Sequence, residues 1–357
     1  MAENHAVVLT TGKVWAAVRQ ALHAHAPLVV LVALYAALAV GLRDPEAPAT
    51  AFEPKQMIDI FSVVLPMFVL AMIVFLYARL MIVSRGRSPL HIVRQWGAST
   101  PWLDLLVLRF PLAIAFLVVI QVLYVSLKVN IPFVAPFSWD GTFAQWDRAL
   151  FFGQDPWVLT HAIFSTPKAT AIIDALYIVW FFAVYLGFLV FAALPMNSTL
   201  RLGFMLAFGL AWAVGGSLLA TVFSSAGPVY MDRLFGDPTF EPLMERLRAQ
   251  AEIIPLKALN VQETLWLGYA ETNIAPIGIS AFPSMHNCSM VVIVMGFWRM
   301  NRWAGALMAL FSLAIVLGSV HLGWHYFVDS LAGVFLGVVF WLAGMWVARW
   351  WMKRGTV

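Results

Sequence analysis

The sequence predicts an all-α, polytopic integral membrane protein of about eight transmembrane helices. Three observations carry that reading. Of 357 residues, 62% are hydrophobic and only 11% are charged. The hydrophobic residues gather in runs long enough to cross a bilayer as helices. The lysines and arginines collect at one set of run ends, as the positive-inside bias of membrane proteins leads one to expect.

The runs fall at roughly 27–43, 60–83, 102–126, 170–194, 201–223, 285–300, 303–321 and 325–350. The first, VVLVALYAALAVGL, follows Lys13 and Arg19 and so mimics a signal peptide. It is long for such a segment and no small-x-small cleavage site follows, so a retained helix is expected. Residues 4–26 ahead of it read equally well as a short amphipathic helix on the inner surface or as a polar lead-in. The run 285–300 is short, about 24 Å at about 1.5 Å per residue. Its N-terminal end is expected slightly below the outer boundary, or in a thinned part of the bilayer. Between the runs, loop 127–169 carries Trp146, Phe151, Phe152 and Trp157, which suit a helix lying in the interface. Loop 224–284 holds EPLMERLRAQAE, a surface-helix pattern, and leads into AFPSMH, where it is placed to roof a site.

Orientation follows from the basic residues. Lys13, Arg19, Arg79, Arg85, Arg87, Arg94, Arg201, Arg299, Arg302, Arg349, Lys353 and Arg354 mark the cytoplasmic ends. Both termini are then expected inside, with loops 44–59, 127–169, 224–284 and 322–324 outside, facing the periplasm if this is a bacterial inner-membrane protein. The net charge of +4 is dispersed, with no basic stripe suited to nucleic acid. One cysteine, Cys288, excludes an intrachain disulfide and a cysteine-based zinc cage.

Two stretches carry the chemical signal. In AFPSMHNC, residues 281–288, Pro283 and Ser284 read as a helix start with Ser284 as the capping residue, and His286 falls in the first turn. Free amides at such a turn attract anions, so a hydroxyl, amides and an imidazole together make a phosphate cradle. In HLGWHYFVDS, residues 321–330, Gly323 breaks the chain and a new helix is expected from Trp324. His325 and Asp329 then share a face at i and i+4. A carboxylate holding one ring nitrogen leaves the other as nucleophile or base. Asp329 sits in the apolar context FVDSLAGVF, where an unpaired carboxylate is costly, so a partner is expected.

Other readings of the same residues stand beside this one. An intramembrane histidine often only ties helices together, and an aspartate near a span end often only reaches the headgroups. His286, His321, His325 and Asp329 offer three nitrogens and an oxygen, a set zinc accepts. Against zinc, no H-E-x-x-H pattern is present, and a break at Gly323 takes His321 off the shared face. A carrier or scaffold whose cluster binds a headgroup, a proton or a metal is the non-enzymatic alternative.

FPSMH followed one span later by HYFVD resembles the type-2 phosphatidic acid phosphatase superfamily. That family's signature runs Lys-x6-Arg-Pro, Pro-Ser-Gly-His and Ser-Arg-x5-His-x3-Asp. Its second part resembles Pro283-Ser284-Met285-His286; its third resembles Gly318-Ser319, five residues, His325, three residues, Asp329. The HYFVD text, and more weakly WDRALFFG in the first outer loop, are most similar to the inositol phosphorylceramide synthase branch. The resemblance covers about residues 102–350 and implies a six-helix core in residues 101–357. Residues 1–100 then add the N-terminal segment and two extra helices.

The resemblance further implies a two-step reaction without cofactor or metal. His325 attacks phosphorus to give a phosphohistidine, Asp329 orients it, and His286 protonates the leaving oxygen and then activates the acceptor. Ser284 and nearby amides hold the phosphoryl oxygens, with Ser319 and His321 as further candidate substrate contacts. The substrate is expected to be a membrane phospholipid or lipid phosphate, and the acceptor a lipid hydroxyl or water. The branch favours transfer of a phospho-alcohol headgroup such as phosphoinositol, with simple phosphatase action as the alternative. The chain also departs from the signature: it has no Lys-x6-Arg-Pro, and Ser319 stands where the third part has arginine. Phosphoryl transfer needs positive charge or dipoles opposite the equatorial oxygens. Arg233, Arg246, Arg248 and Lys257 in the second outer loop are the candidate replacements, and SSAGPVYMDR, residues 224–233, is the positional counterpart of the first part.

Overall fold

A computed structural model describes residues 11–47, 104–270 and 278–354, with isolated positions between 62 and 73. The span expected at 60–83 lies outside the described residues apart from those positions. Among the described residues there is no strand.

In chain order the helices are α1 (Thr11–Gly41), α2 (Phe110–Val134), α3 (Asp140–Leu150), α4 (Pro156–Ile163) and α5 (Pro167–Ala192). There follow α6 (Thr199–Val222), α7 (Met231–Phe235), α8 (Glu241–Ile253) and α9 (Lys257–Ala270). The chain closes with α10 (Met285–Met300), α11 (Arg302–His321) and α12 (Phe327–Arg354). Six of them, α1, α2, α5, α6, α11 and α12, contain stretches long and apolar enough to cross a membrane. This is the architecture of a polytopic integral membrane protein. Helix α10 has the bounds expected of the short span, 16 residues.

Helix α12 packs along α6 and α10, and α10 also packs on α11. Glycines let these backbones approach. A Cβ at Gly337 of α12 would stand 2.8 Å from the Cys288 carbonyl oxygen and 2.7 Å from Val291 Cβ on α10. Gly333, one turn nearer the site, lies against the Ser284 carbonyl. Small residues four apart are a usual means of bringing membrane helices close, because lipid supplies no hydrophobic drive between them. Between α5 and α6 the core is aromatic, with Phe191 stacked on Phe204 at 3.9 Å. At the N-terminal end of α6, Arg201 is buried and donates to the carbonyls of Ala192 and Arg109, each at 3.2 Å. Ala192 closes α5, so this charge meets the negative end of a helix.

Three local expectations change. Residues 11–26 are the start of α1 itself and not a separate helix, and residues 4–10 lie outside the described residues. Its packing explains this, since Trp351 of α12 stacks on His23 at 5.0 Å and donates to the His23 carbonyl at 2.9 Å. The span expected at 102–126 is shifted, with a π-helical turn Asp104–Arg109 leading into α2 and the helix running on to Val134. Asn130 sustains the extra turns by donating to the Ser126 carbonyl at 2.8 Å and accepting from the Asp44 amide at 3.2 Å. The last helix begins at Phe327, not at Trp324.

The two long loops expected to face outward are largely helical. EPLMERLRAQAE forms α8, as its pattern indicates. Of the four aromatics of the first loop, Trp146 and Phe152 are exposed, whereas Phe151 and Trp157 are partly buried. Asp174 of α5 accepts from the Lys257 and Ala258 amides at 2.7 and 2.9 Å, which fastens the start of α9 to the bundle.

Candidate active site

The two histidine loops are built to meet. Helix α11 ends at His321, and Gly323 takes φ +73°, a left-handed turn that glycine enters without strain. The Trp324 and His325 amides then fold back onto the Ser319 carbonyl, both at 3.0 Å. On the other side, the Ala281 amide and the Phe282 amide are held by Ser225, through its carbonyl at 2.9 Å and its hydroxyl at 3.1 Å. The Ser284 amide donates to the Asp329 carbonyl at 3.0 Å, which ties the start of α10 to α12.

This brings His325 Nε2 to 3.5 Å from His286 Nδ1. The other ring nitrogen of His325 faces Asp329 Oδ2 at 3.6 Å, slightly beyond hydrogen-bond length. So His325 reaches Asp329 from the loop ahead of α12 rather than from the helix face that the spacing implies. Asp329 has a second task. It occupies the third position of α12 and accepts from the Tyr326 amide at 3.0 Å, one half of a capping box. Its Oδ1 is buried with no donor.

The His286 ring is held between aromatic faces. Tyr177 stacks on it at 4.5 Å and Trp180 lies at 4.1 Å. Trp180 Nε1 also donates to the His286 carbonyl and the Ser289 hydroxyl at 3.1 and 3.0 Å. Beneath the pair, Asn287 Nδ2 lies within hydrogen-bond reach of three hydroxyls, those of Ser284, Ser319 and Ser330, at 3.0, 3.2 and 2.9 Å. Ser284 does stand at the N-cap of α10, but its hydroxyl makes no cap hydrogen bond. It is turned toward Asn287, so the first turn of α10 has no side-chain cap. The bulky Met285 is accommodated by a glycine pair on the π-helical part of α6: a Cβ at Gly215 or Gly216 would meet the Met285 sulfur at 3.5 or 3.3 Å.

Several expected contacts are not brought to the site. His321 is buried elsewhere, stacked on His161 at 3.8 Å, with its ring nitrogens hydrogen-bonded to Thr170 Oγ1 at 2.9 Å and Thr160 Oγ1 at 3.2 Å. Both nitrogens being engaged, the four-ligand set of His286, His321, His325 and Asp329 is not assembled. Among the described residues no three His, Cys, Asp or Glu side chains gather as metal ligands. Arg233 pairs with Glu263 and Arg248 with Glu241, each at 2.6 Å on exposed surface. Arg246 reaches the His161 carbonyl at 3.5 Å. Lys257 contributes its backbone amide to Asp174. The surface acids within the same loop absorb two of these cations, which the sequence pattern does not reveal.

Residues outside the expected set complete the surroundings. The Lys128 ammonium, on α2, is near enough to act electrostatically on both His286 and His325. Sequence reading places Lys128 in a loop, because the apolar run ends before it. From α3, Asp147 accepts from the Phe327 and Val328 amides at 2.7 and 2.9 Å. Asp140 accepts from the Tyr326 hydroxyl at 3.0 Å and from the Ala226 and Gly227 amides. Burial pushes the Asp147 carboxyl up to about 7 against the pull of its two amides, and it raises that of Asp140 as well.

A family model described as the PAP2 superfamily matches residues 141–343. No curated protein and no solved structure matches the chain. The matched segment holds both histidine loops, nearly all of α3, the helices α4 to α11 and the first 17 residues of α12, more than half of the sequence. Membership of this group supports a phosphatase- or phosphotransferase-type function on lipid phosphates. With its paired imidazoles at the tips of two packed helices and this match across them, the chain belongs to the PAP2 superfamily.

Proposed function

We propose that the chain is a lipid phosphotransferase that works through a phosphohistidine on His325. The single observation that carries this reading is the 3.5 Å approach of His325 Nε2 to His286 Nδ1, with Asp329 behind the opposite nitrogen of His325. In the first step Nε2 of neutral His325 attacks phosphorus, the bond from phosphorus to the leaving oxygen breaks, and protonated His286 gives that oxygen its proton. In the second, His286 takes the proton of an incoming hydroxyl, whose oxygen displaces Nε2 from phosphorus. Asp329 steadies the ring and the positive charge it gains. The uncapped amides of α10 and the Lys128 ammonium face the charge that develops on the phosphoryl oxygens, the role first sought among the outer-loop cations.

The geometry sets a condition on this chemistry. Attack requires about 3–3.5 Å from nitrogen to phosphorus, and proton transfer requires about 2.6–3.2 Å from nitrogen to oxygen. A phosphoryl group fits both only if the two rings part as substrate enters. The aromatic faces of Tyr177 and Trp180 guide His286 in that movement.

HYFVD and WDRALFFG favour a phospho-alcohol donor, such as phosphatidylinositol, and a lipid hydroxyl as acceptor. Hydrolysis of a lipid phosphate uses the same residues, with water in the second step. The site is expected on the periplasmic side of a bacterial inner membrane. The test is purified protein with phosphorus-labelled phosphatidylinositol or phosphatidic acid, with and without ceramide or diacylglycerol, in the presence of chelator. Label should appear on His325 after a rapid quench, and His325→Ala should abolish both label and turnover. Turnover by His325→Ala at the wild-type rate, or activity lost to chelator and restored by zinc, would refute the mechanism.

A further inference from the structure

Helix α3 lies outside the bundle, yet its two buried carboxylates grip the segment that carries the nucleophile. Asp140 and Asp147 are seven residues apart, two turns, and so project from one face. Asp147 takes the amides of Phe327 and Val328, the first two residues of α12, one on each oxygen. Asp140 takes the hydroxyl of Tyr326, the residue after His325, together with the amides of Ala226 and Gly227. Ser225, next along that strand of chain, holds the AFPSMH loop. One short helix is thus bonded to both sides of the histidine pair. The start of α12 is filled by a carboxylate of the protein, whereas the start of α10 is left uncapped. The turn after α3 is itself fixed, since Arg148 forms a two-point pair with Asp155 at 2.8 and 3.2 Å.

We propose that Asp147, supported by Asp140, is a positioning residue: it holds the first turn of α12 so that His325 stands in line with His286 and the entering phosphorus. This rests on the phosphotransfer reading above and adds to it the function of the WDRALFFG stretch. The carboxylate does not touch the reacting atoms. It acts through the backbone of residues 326–328, and a shift there of about 1 Å is enough to cost about a hundredfold in rate.

Asp147→Asn tests this at nearly constant volume. The amide replaces one acceptor by a donor that faces a backbone N–H, so the two-point grip is broken. Asp174→Asn is the control: Asp174 grips the start of α9 in the same two-point way, at 2.7 and 2.9 Å, but takes its bonds from Lys257 and Ala258 and not from the backbone of residues 326–328. Amide hydrogen exchange of the peptide 324–330, which needs no activity, should quicken in Asp147→Asn and stay at the wild-type rate in Asp174→Asn. With phosphatidylinositol or phosphatidic acid, kcat and the rate of label arrival on His325 should fall about ten- to a hundredfold in Asp147→Asn, with KM within about twofold. Asp147→Glu, which keeps two acceptors, should recover part of the rate. Unchanged exchange at 324–330, or an equal fall of kcat in the two Asn variants, would overturn the proposal. A wild-type chain that turns over neither lipid would instead refute the phosphotransfer reading, and would be recognised as such because exchange still reports the grip.

Discussion

Gly337→Ala tests whether the spacing of α10 and α12 sets the rate. The new Cβ would stand 2.7 Å from Val291 Cβ and 2.8 Å from the Cys288 carbonyl oxygen. Ordinary contacts are about 3.5 Å for carbon on carbon and about 3.3 Å for carbon on a carbonyl oxygen. The helices must therefore part by about 0.5–0.8 Å. Val291 has a side chain that can turn, but the Cys288 carbonyl belongs to the helix backbone and moves only if α10 moves. His286 is two residues from Cys288 on the same helix, so most of that displacement reaches its ring. Overpacking of this kind costs about 1–3 kcal/mol of stability. A displacement approaching 1 Å costs up to about a hundredfold in rate, so kcat should drop about ten- to fiftyfold with KM little changed. The control is Gly344→Ala, which presses α12 on Ala207 of α6 about two turns further from the site. It should destabilise comparably and affect kcat far less. Thermal unfolding in detergent and turnover of lipid substrate give both numbers. Wild-type kcat in Gly337→Ala, or the same loss in both variants, would refute the link between helix spacing and rate.

Lys128→Met should lower kcat/KM by about a hundredfold or more, as loss of a charge facing the developing oxyanion does elsewhere, while Lys128→Arg keeps much of it; steady-state kinetics of the two variants decide. His321→Ala should cost about 1–3 kcal/mol through the orphaned Thr170 hydroxyl and leave KM unchanged, which separates packing from substrate contact. For pH, the groups facing the Asp147 carboxyl are the Phe327 and Val328 amides, Asp329, and Asp155. Burial holds that carboxyl at about 7, above its ordinary 3.8. A raised folded value means that its stabilising share is present below the unfolded value and is lost as pH rises through about 7. The Tm of wild type relative to Asp147→Asn should therefore decline from about pH 4 to about pH 7 and level off above; a constant difference would show that the carboxyl does not titrate there.

What could be read from the sequence follows how each feature is encoded. Spans are written as runs of apolar residues, and α5, α6, α10 and α11 lie within a few residues of their expected places because one physical requirement, burial in hydrocarbon, determines both run and helix. The candidate pair of His325 and Asp329 is legible because the two are local in sequence and because glycine marks the loop between helices. Span ends are less legible. Sequence reading stops α2 at its first polar residues, yet Asn130 satisfies itself within the helix and with Asp44, so the helix continues and carries Lys128 to the site.

Contacts between distant segments leave no local trace at all. The partner of Arg248, Glu241, lies two turns back on the same helix, whereas Arg233 reads as an available phosphate ligand because its partner Glu263 lies 30 residues away. The same holds for Asp147 and the amides 180 and 181 residues further on. On the proposed mechanism, the signature's arginines can be absent while the covalent step keeps its residues. The covalent step needs a particular imidazole in a particular frame, so its residues stay together on two adjacent loops. A positive charge opposite the phosphoryl oxygens need only be near, since its effect falls off gradually with distance. It can be delivered from any helix that ends at the same face of the bundle. Helix α2 brings Lys128 near both histidines, and in the proposed mechanism this lysine supplies the charge without the motif.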